Sequence, residues 1–183
     1  METQEKLVAL ADRMIRMQGY NAFSYKDLSG PMHIKNAAVH YYYPTKANLG
    51  VAVIDQTIRE INQSKQRWAD LPVDQQLEQF AQLYARDHEA ELVCLMGSLA
   101  PDYRTLPETM QAKVQQMGEE ILDWLTDCIT KGREQGLFHF KGDPYDRALL
   151  VISTLLSALL LARVLGGDTF QRMYRQLLAD IMV

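Results

Sequence analysis

An all-α fold is predicted by three observations. Apolar residues recur at spacings of three and four along almost the whole chain. Strand-like alternation is sparse. The prolines number only six and mark the ends of helical patterns. With 183 residues and 48% hydrophobic content, the chain can build a real core and is not a candidate for disorder. The pattern divides into a small three-helix head over residues 1–46 and a larger helical body over residues 47–183.

The first helix spans roughly Gln4 to Met17, with Leu7, Leu10, Ala11, Met14 and Ile15 on one stripe, and Gly19 ends it. Ser24 caps a second, short helix that holds Leu28. Gly30-Pro31 follows. Proline removes one intrahelical hydrogen bond and disfavours helical geometry at the residue before it, so this helix should end near Ser29 or be kinked. A third helix fits Asn36 to Tyr43, with Val39 facing inward, and Pro44 stops it. Thr45 caps a long fourth helix to Trp68, whose inward residues are Val51, Ile54, Ile58 and Ile61. After Pro72 a fifth helix puts Leu77, Phe80, Tyr84 and His88 on one face. "ELVCLMGSLA" is a short apolar helix ended by Pro101. The next, about Pro107 to Gln135, carries Met110, Val114, Met117, Ile121, Trp124 or Leu125, and Cys128. An apolar helix from Asp146 to Leu165 and a last one from Asp168 to Met182 complete the body.

Charge is uneven. The net charge of −4 argues against a nonspecific polybasic coat for nucleic acid. Residues 1–48 hold six basic against four acidic residues, a net +2, which leaves −6 for the rest. A mildly basic head on an acidic body permits local phosphate binding. The cysteines, Cys94 and Cys128, have neither C-x-x-C nor metal-site spacing. The opening "METQEKLVAL" is charged and amphipathic rather than signal-like, so a reducing cytoplasm is the expected setting. "ALLVISTLLSALLLA", Ala148 to Ala162, has 15 residues where a membrane span needs roughly 20, so burial between helices or subunits is expected instead.

Two short helices joined by a tight turn form a helix-turn-helix unit, and the second is the candidate recognition helix. Phosphates accept hydrogen bonds from hydroxyls, ring nitrogens, ammonium groups and helix N-terminal amides. His40, Tyr41, Tyr42, Thr45 and Lys46 supply the side-chain donors. Lys35, Asn36 and Ala37 stand where base edges would be reached: Asn36 by hydrogen bonds, the alanine by contact with a thymine methyl. Tyr43, next to Pro44, reads as a core anchor. His40 suits phosphate contact and local packing equally.

The stretch "GYNAFSYKDLS…IKNAAVHYYYPTKANLG", Gly19 to Gly50, resembles the DNA-binding head of the TetR family of bacterial repressors. A weaker likeness over "CLMGSLAPDYRTLPETM…GREQGLF…GDP" is similar to the C-terminal domain of one subgroup, some of whose members sense electrophiles through a cysteine in the short helix. The resemblance implies a homodimeric repressor that binds double-stranded operator DNA. A small hydrophobic or electrophilic effector would shift the fourth helix and release it. Base-reading positions of the family fall on Lys35, Asn36 and Ala37, and phosphate positions on His40, Tyr41, Tyr42, Thr45 and Lys46. His33 stands where members place a turn glycine, and histidine reaches positive φ less readily.

The body is expected to supply the switch. Phe80, Tyr84, His88, Cys94, Met96, Met117, Trp124 and Cys128 are candidates for an apolar effector pocket, with ordinary core packing as the competing role. Cys94, with Arg163 as a cationic neighbour, is either a reactive sensor or an inert buried thiol. Ile121 and Leu125 of the long helix and Leu150, Ser153, Ser157 and Leu161 of the apolar helix are candidates for a four-helix interface between twin chains. No cofactor or metal is expected, and no H-E-x-x-H, P-loop, G-x-S-x-G or paired-cysteine motif points to an enzyme. The alternative is a TetR-like dimeric ligand- or protein-binding module whose turn, altered at Pro31 and His33, has weakened or lost DNA binding.

Overall fold

The computed structural model describes residues 2–182. Among them the chain forms nine α-helices: α1 Thr3–Gln18, α2 Tyr25–Ser29, α3 Asn36–Tyr42, α4 Lys46–Trp68, α5 Val73–Glu89, α6 Leu95–Leu99, α7 Glu108–Glu134, α8 Pro144–Leu165 and α9 Thr169–Ala179. Single 3-10 turns occupy Tyr20–Ala22 and Tyr103–Thr105. The only β pairing among the described residues is an isolated bridge between Phe138 and Met182. The residues gather into two compact units. The first runs to Ile61 and takes in Leu95–Met117; the second holds Asn62–Cys94 and resumes at Gly118.

In the first unit, α1 buries Leu7, Val8, Ala11 and Ile15. Val8 faces the core, while Leu10 and Met14 of the expected stripe are only half-buried. The helix stops at Gly19, whose φ of +94° is available to glycine at little cost. Ser24 begins α2 in a capping box with Asp27, whose carboxylate accepts from the Ser24 amide and hydroxyl at 2.7 Å each. These hydrogen bonds hold the Asp27 carboxyl below its usual pKa.

Helix α2 ends at Ser29, as Pro31 requires. The chain then closes in a Schellman turn: Ile34 N–H donates to the Ser29 carbonyl at 3.1 Å and His33 N–H to the Gly30 carbonyl at 3.0 Å. His33 sits at the left-handed position of that turn, with φ +55°. Thus a histidine makes the turn for which glycine is the usual residue, and α3 still starts three residues later, at Asn36. Helix α6 packs on α1, and Gly50 of α4 lets the Met110 side chain approach to where a Cβ would be 2.6 Å from its sulfur. Along α4 the buried positions are Leu49, Gly50, Val53, Ile54, Thr57 and Ile58, with Ser64 and Trp68 further on; Val51 and Ile61, expected inside, flank this stripe.

In the second unit, α8 packs against α9 and α5, and α9 also against α5. Helix α5 ends as α2 does. Leu92 N–H donates to the Asp87 carbonyl and Glu91 N–H to the His88 carbonyl, with Glu91 at φ +58°. Helix α8 runs 22 residues, so the expectation that its apolar stretch is too short for a span does not hold on length. Its environment is informative instead. Ala148, Val151, Ile152, Leu155, Ala158, Leu159 and Ala162 are buried on one face. Leu149, Leu150, Leu160, Leu161, Val164 and Leu165 are exposed on the other. The apolar character that would suit a membrane is half consumed by the chain's own packing.

Phe138 locks the end of α7. Its ring lies so close to Gly132 that a Cβ there would stand 2.0 Å from Cδ2, and the His139 amide donates to the Ile181 carbonyl at 2.8 Å. Phe138 is 1% exposed and cannot swing aside. Gly132→Ala is therefore expected to lower stability by roughly 1–3 kcal/mol, the usual cost of overpacking a filled core, rather than raise it as a helix glycine-to-alanine change ordinarily would. Thermal unfolding of the two proteins checks this.

Candidate functional site

The candidate nucleic-acid interface is built on α3 and the start of α4. Helix α3 is anchored from below by two residues: Val39, completely buried, and Tyr43, 6% exposed. The Tyr25 hydroxyl donates to the Tyr43 carbonyl at 2.7 Å. Burial, with Tyr20 and Tyr43 nearby, pushes the Tyr25 phenol up to about 12, so it remains a neutral donor. Tyr43 thus has the core position expected for it.

On the outside, Tyr41 is 81% exposed and Tyr42 37%, with their rings edge-to-face at 5.3 Å. His40 is exposed too, but its ring lies against Tyr25 at 4.6 Å and its Nδ1 is 3.4 Å from the Pro44 carbonyl oxygen. In the Nδ1–H form it donates to that carbonyl, so packing and outward presentation coexist. Lys35, Asn36 and Ala37 are all exposed at the start of α3. The Asn36 side chain is tied on one side: the Ser29 hydroxyl donates to its Oδ1 at 2.5 Å.

Thr45 caps α4 in a reciprocal arrangement with Asn48. The Thr45 hydroxyl and amide both donate to Asn48 Oδ1, at 2.7 and 3.1 Å, and the Asn48 amide donates to Thr45 Oγ1 at 3.1 Å. The hydroxyl therefore serves the helix end first. The next amides of α4 have no intrahelical acceptor by helix geometry, and together with the helix dipole they make this end electropositive.

Lys46 is placed differently from the expectation. Its Nζ donates to the Tyr20 carbonyl at 2.5 Å and to the Phe23 carbonyl, and it lies 4.6 and 4.1 Å from the centres of those two rings. Burial holds its pKa below the usual lysine value, against the opposing pull of Asp27 and Asp102. The ammonium is turned inward as a brace between the 3-10 turn at Tyr20–Ala22 and α4. Tyr20, Phe23, Tyr25, Ser29 and Asn48 escaped sequence reading as parts of this site. The spacing Thr45-x-x-Asn48 was the one available signal; nothing local marks Ser29 as a partner of Asn36.

The residues considered for an effector pocket separate. Phe80, Tyr84 and Trp124 come together with Trp68: Phe80 lies 5.6 Å from both Tyr84 and Trp124, and Trp68 5.9 Å from Trp124. Lys65 Nζ sits 6.0 Å above the Trp124 ring. Met96 and Met117 belong to the other unit, where Met117 is 1% exposed. His88 stacks on Phe170 at 4.6 Å and borders an open cleft of about 520 Å³ between α5 and α9, also lined by Glu89, Asp168, Gln171, Tyr174 and Arg175.

Neither cysteine forms a disulfide. Burial raises the Cys128 thiol to about 12 and its Sγ lies 3.6 Å from the Val73 carbonyl oxygen, so it is unreactive at neutral pH. Cys94 stands in the link just before α6 rather than within that helix. Arg163 reaches this link, its Nη2 lying 3.4 Å from the Glu91 carbonyl.

The proposed twin interface is half altered. Ile121 and Leu125 are 5% and 0% exposed, because α7 turns its apolar stripe inward and presents Glu119, Asp123 and Asp127 outward. They are already covered by the chain itself. Leu150 and Leu161 are exposed at 55% and 43%, with Ser153 exposed and Ser157 half-buried between them on α8.

A family model described as the tetracyclin repressor-like C-terminal domain matches residues 73–178, more than half of the chain. The transcriptional repressor NemR of Escherichia coli K12 is 23% identical over 174 residues, covering 89% of this chain and 85% of that protein. A TetR transcriptional regulator from Legionella pneumophila superposes with a TM-score of 0.88 at 29% identity, covering 98% of this chain and 96% of that one. A TetR-family regulator from Agrobacterium tumefaciens gives 0.92 at 26%, covering 98% and 97%.

The inward position of Lys46 has a measurable consequence. Lys46→Met should destabilise the protein by roughly 1.5–3 kcal/mol, the scale of hydrogen bonds from a charged donor, by thermal unfolding. The slope of log affinity against log salt for DNA should stay unchanged, whereas a phosphate-contacting lysine would reduce it by about 1.

Proposed function

The chain belongs to the TetR family of transcriptional regulators, and from that premise we propose that it acts as a homodimeric repressor of a near-palindromic operator, released by a small effector. The observation that carries the reading is the arrangement at α3. An exposed Lys35-Asn36-Ala37 entrance is held over a core of Val39 and Tyr43, and Tyr41, Tyr42 and the capped start of α4 flank it on one side. In this reading the α3 entrance enters the major groove and reads base edges. Tyr41, Tyr42, His40 and the α4 amides contact phosphates. The Schellman turn supports it against the alternative of lost DNA binding. Pro31 and His33 shorten α2, yet the turn is hydrogen-bonded and α3 begins at Asn36.

Dimerisation is assigned to the exposed face of α8. Leu150, Ser153, Ser157, Leu161 and Val164 step by three and four along it, and the two serines allow close helix approach. Fully burying one leucine or valine is worth roughly 1.5–3 kcal/mol, and six such side chains lie exposed on this helix. A twin copy covers them in an isologous contact. The two α3 helices of such a dimer engage half-sites about one DNA turn apart. Effector binding is assigned to the aromatic cluster of Phe80, Tyr84 and Trp124, with Cys94, buried in the link that Arg163 reaches at Glu91, as the electrophile-responsive thiol.

The double change Leu150→Arg and Leu161→Arg is expected to give a monomer by sedimentation at micromolar concentration and at least a 100-fold loss of operator binding in gel shifts, since half-site affinities no longer combine. A wild-type protein that sediments as a clean monomer sinks the mechanism. Alkylation with N-ethylmaleimide is expected to release DNA from the wild type and from Cys128→Ser, and not from Cys94→Ser. Equal release from the Cys94→Ser variant refutes the sensor role.

A further inference from the structure

We propose that the cleft between α5 and α9 is a small-molecule site for a primary amine that carries a flat apolar group, such as a phenyl ring. It lies apart from the aromatic cluster assigned to the effector, since neither Trp68 nor Trp124 borders it. The proposal does not depend on how the head binds DNA. At about 520 Å³ the cleft falls within the range of small-ligand sites, roughly 300–1,000 Å³.

Its floor is flat and aromatic. Phe170 is 2% exposed, and two rings stack on it: His88 of α5 at 4.6 Å and 15°, and Tyr174 of α9 at 5.8 Å and 30°. Phe170 is thus spent on the fold, while the half-buried His88 and Tyr174 border the open space. Aromatic rings pair in offset stacks with centroids about 4.5–7 Å apart, so this column accepts a further ring. Burial, and then the charge of Glu78, hold the Tyr174 phenol above its usual pKa, so it adds no negative charge of its own.

The rim carries charges that the fold does not use. Glu89 ends α5 and Asp168 stands at the N-cap of α9, and both are exposed. The Asp168 side chain makes no capping bond. Among the described residues neither carboxylate has a hydrogen-bond or ion-pair partner. Arg175 is the only guanidinium or ammonium on the lining, and its Nε donates along its own helix to the Gln171 carbonyl at 3.2 Å. Two carboxylates against one guanidinium favour a cation in the cleft and disfavour an anion. An ionised carboxylate only accepts hydrogen bonds, and a primary ammonium brings three N–H donors to the pair. The rim thus selects the charged end of the ligand, and the ring column holds its flat end.

The probes are 2-phenylethylamine, a cation at neutral pH, and 2-phenylethanol, its uncharged near-isostere. Calorimetric titration of the full-length protein is expected to show saturable binding of the amine, with a Kd of about 1 mM or tighter. The alcohol is expected to bind about 5- to 10-fold more weakly, the scale of two partly exposed ion pairs. Glu89→Gln combined with Asp168→Asn, both at exposed positions, is expected to bring the amine to the level of the alcohol and leave the alcohol unchanged. His88→Ala is expected to weaken both probes alike, through the lost ring contact. Should His88→Ala fail to fold by thermal unfolding, the carboxylate variant alone decides. Tryptophan fluorescence, which reports on Trp68 and Trp124 in the other cluster, is expected to stay constant through the titration. No saturable amine binding, equal affinity for amine and alcohol, or an amine preference that survives in the carboxylate variant overturns the proposal. So does a change in tryptophan fluorescence that His88→Ala leaves intact, because the ligand then sits in the aromatic cluster.

Discussion

The ammonium of Lys46 sits between the backbone carbonyls of Tyr20 and Phe23 and over the faces of both rings. Much of the head depends on that contact. The turn at Tyr20–Ala22 follows α1, and Lys46 is the first residue of α4, so one charged group fixes the end of one helix to the start of another. Fixing the start of α4 also fixes Thr45, its cap, and Pro44, whose carbonyl lies near the His40 ring. The outward groups Tyr41 and Tyr42 come one turn before. The ammonium is thus turned inward, and the groups left exposed around it, Tyr41 and Tyr42, are neutral donors. Burying the ammonium costs desolvation, which its lowered pKa records, and two carbonyl acceptors and two ring faces offset it.

Helix ends are the second theme. Two of them place a non-glycine residue at a left-handed position, His33 after α2 and Glu91 after α5, each in a Schellman turn. Such residues cost of order 1 kcal/mol or more and persist only where the surroundings determine the backbone. His33 stands between α2 and the α3 entrance. Glu91 begins the link that carries Cys94 and receives Arg163. Pro31 has a plain role beside this. It ends the α hydrogen-bond ladder at the place where the turn must begin, so of the two outcomes expected from Gly30-Pro31, an end near Ser29 or a kink, the first is found.

The existence and order of the helices were legible because the three- and four-residue spacings are strong and the stops carry Gly, Pro or Ser-Thr caps. Tyr43 could be assigned to the core because a large aromatic before a proline has little else to do at the end of so short a helix. What was not legible depended on contacts distant in sequence. The inward turn of Lys46 needs Tyr20 and Phe23, more than twenty residues away. The covering of Ile121 and Leu125 depends on which way α7 rolls, and the spacing of its apolar stripe gives the stripe but not its partner. The Ser29–Asn36 bond crosses a turn whose closure rests on a histidine in a conformation that sequence reading treats as unfavourable.

Helix α8 shows how composition and placement separate. By length and apolarity it resembles a membrane span, and by burial it resembles a core helix on one side only. The alanines at 148, 158 and 162 lie on the buried face, where small side chains admit close packing. The leucines at 150 and 161 lie on the exposed one, spaced by Ser153 and Ser157. On the buried face the alanines interlock with Val151, Ile152, Leu155 and Leu159 as in a packed core, while the other face keeps its apolar side chains open to solvent. Helix α7 resolves the same question the other way: its apolar stripe is buried and Glu119, Asp123 and Asp127 face outward, so its open side is charged where that of α8 is apolar.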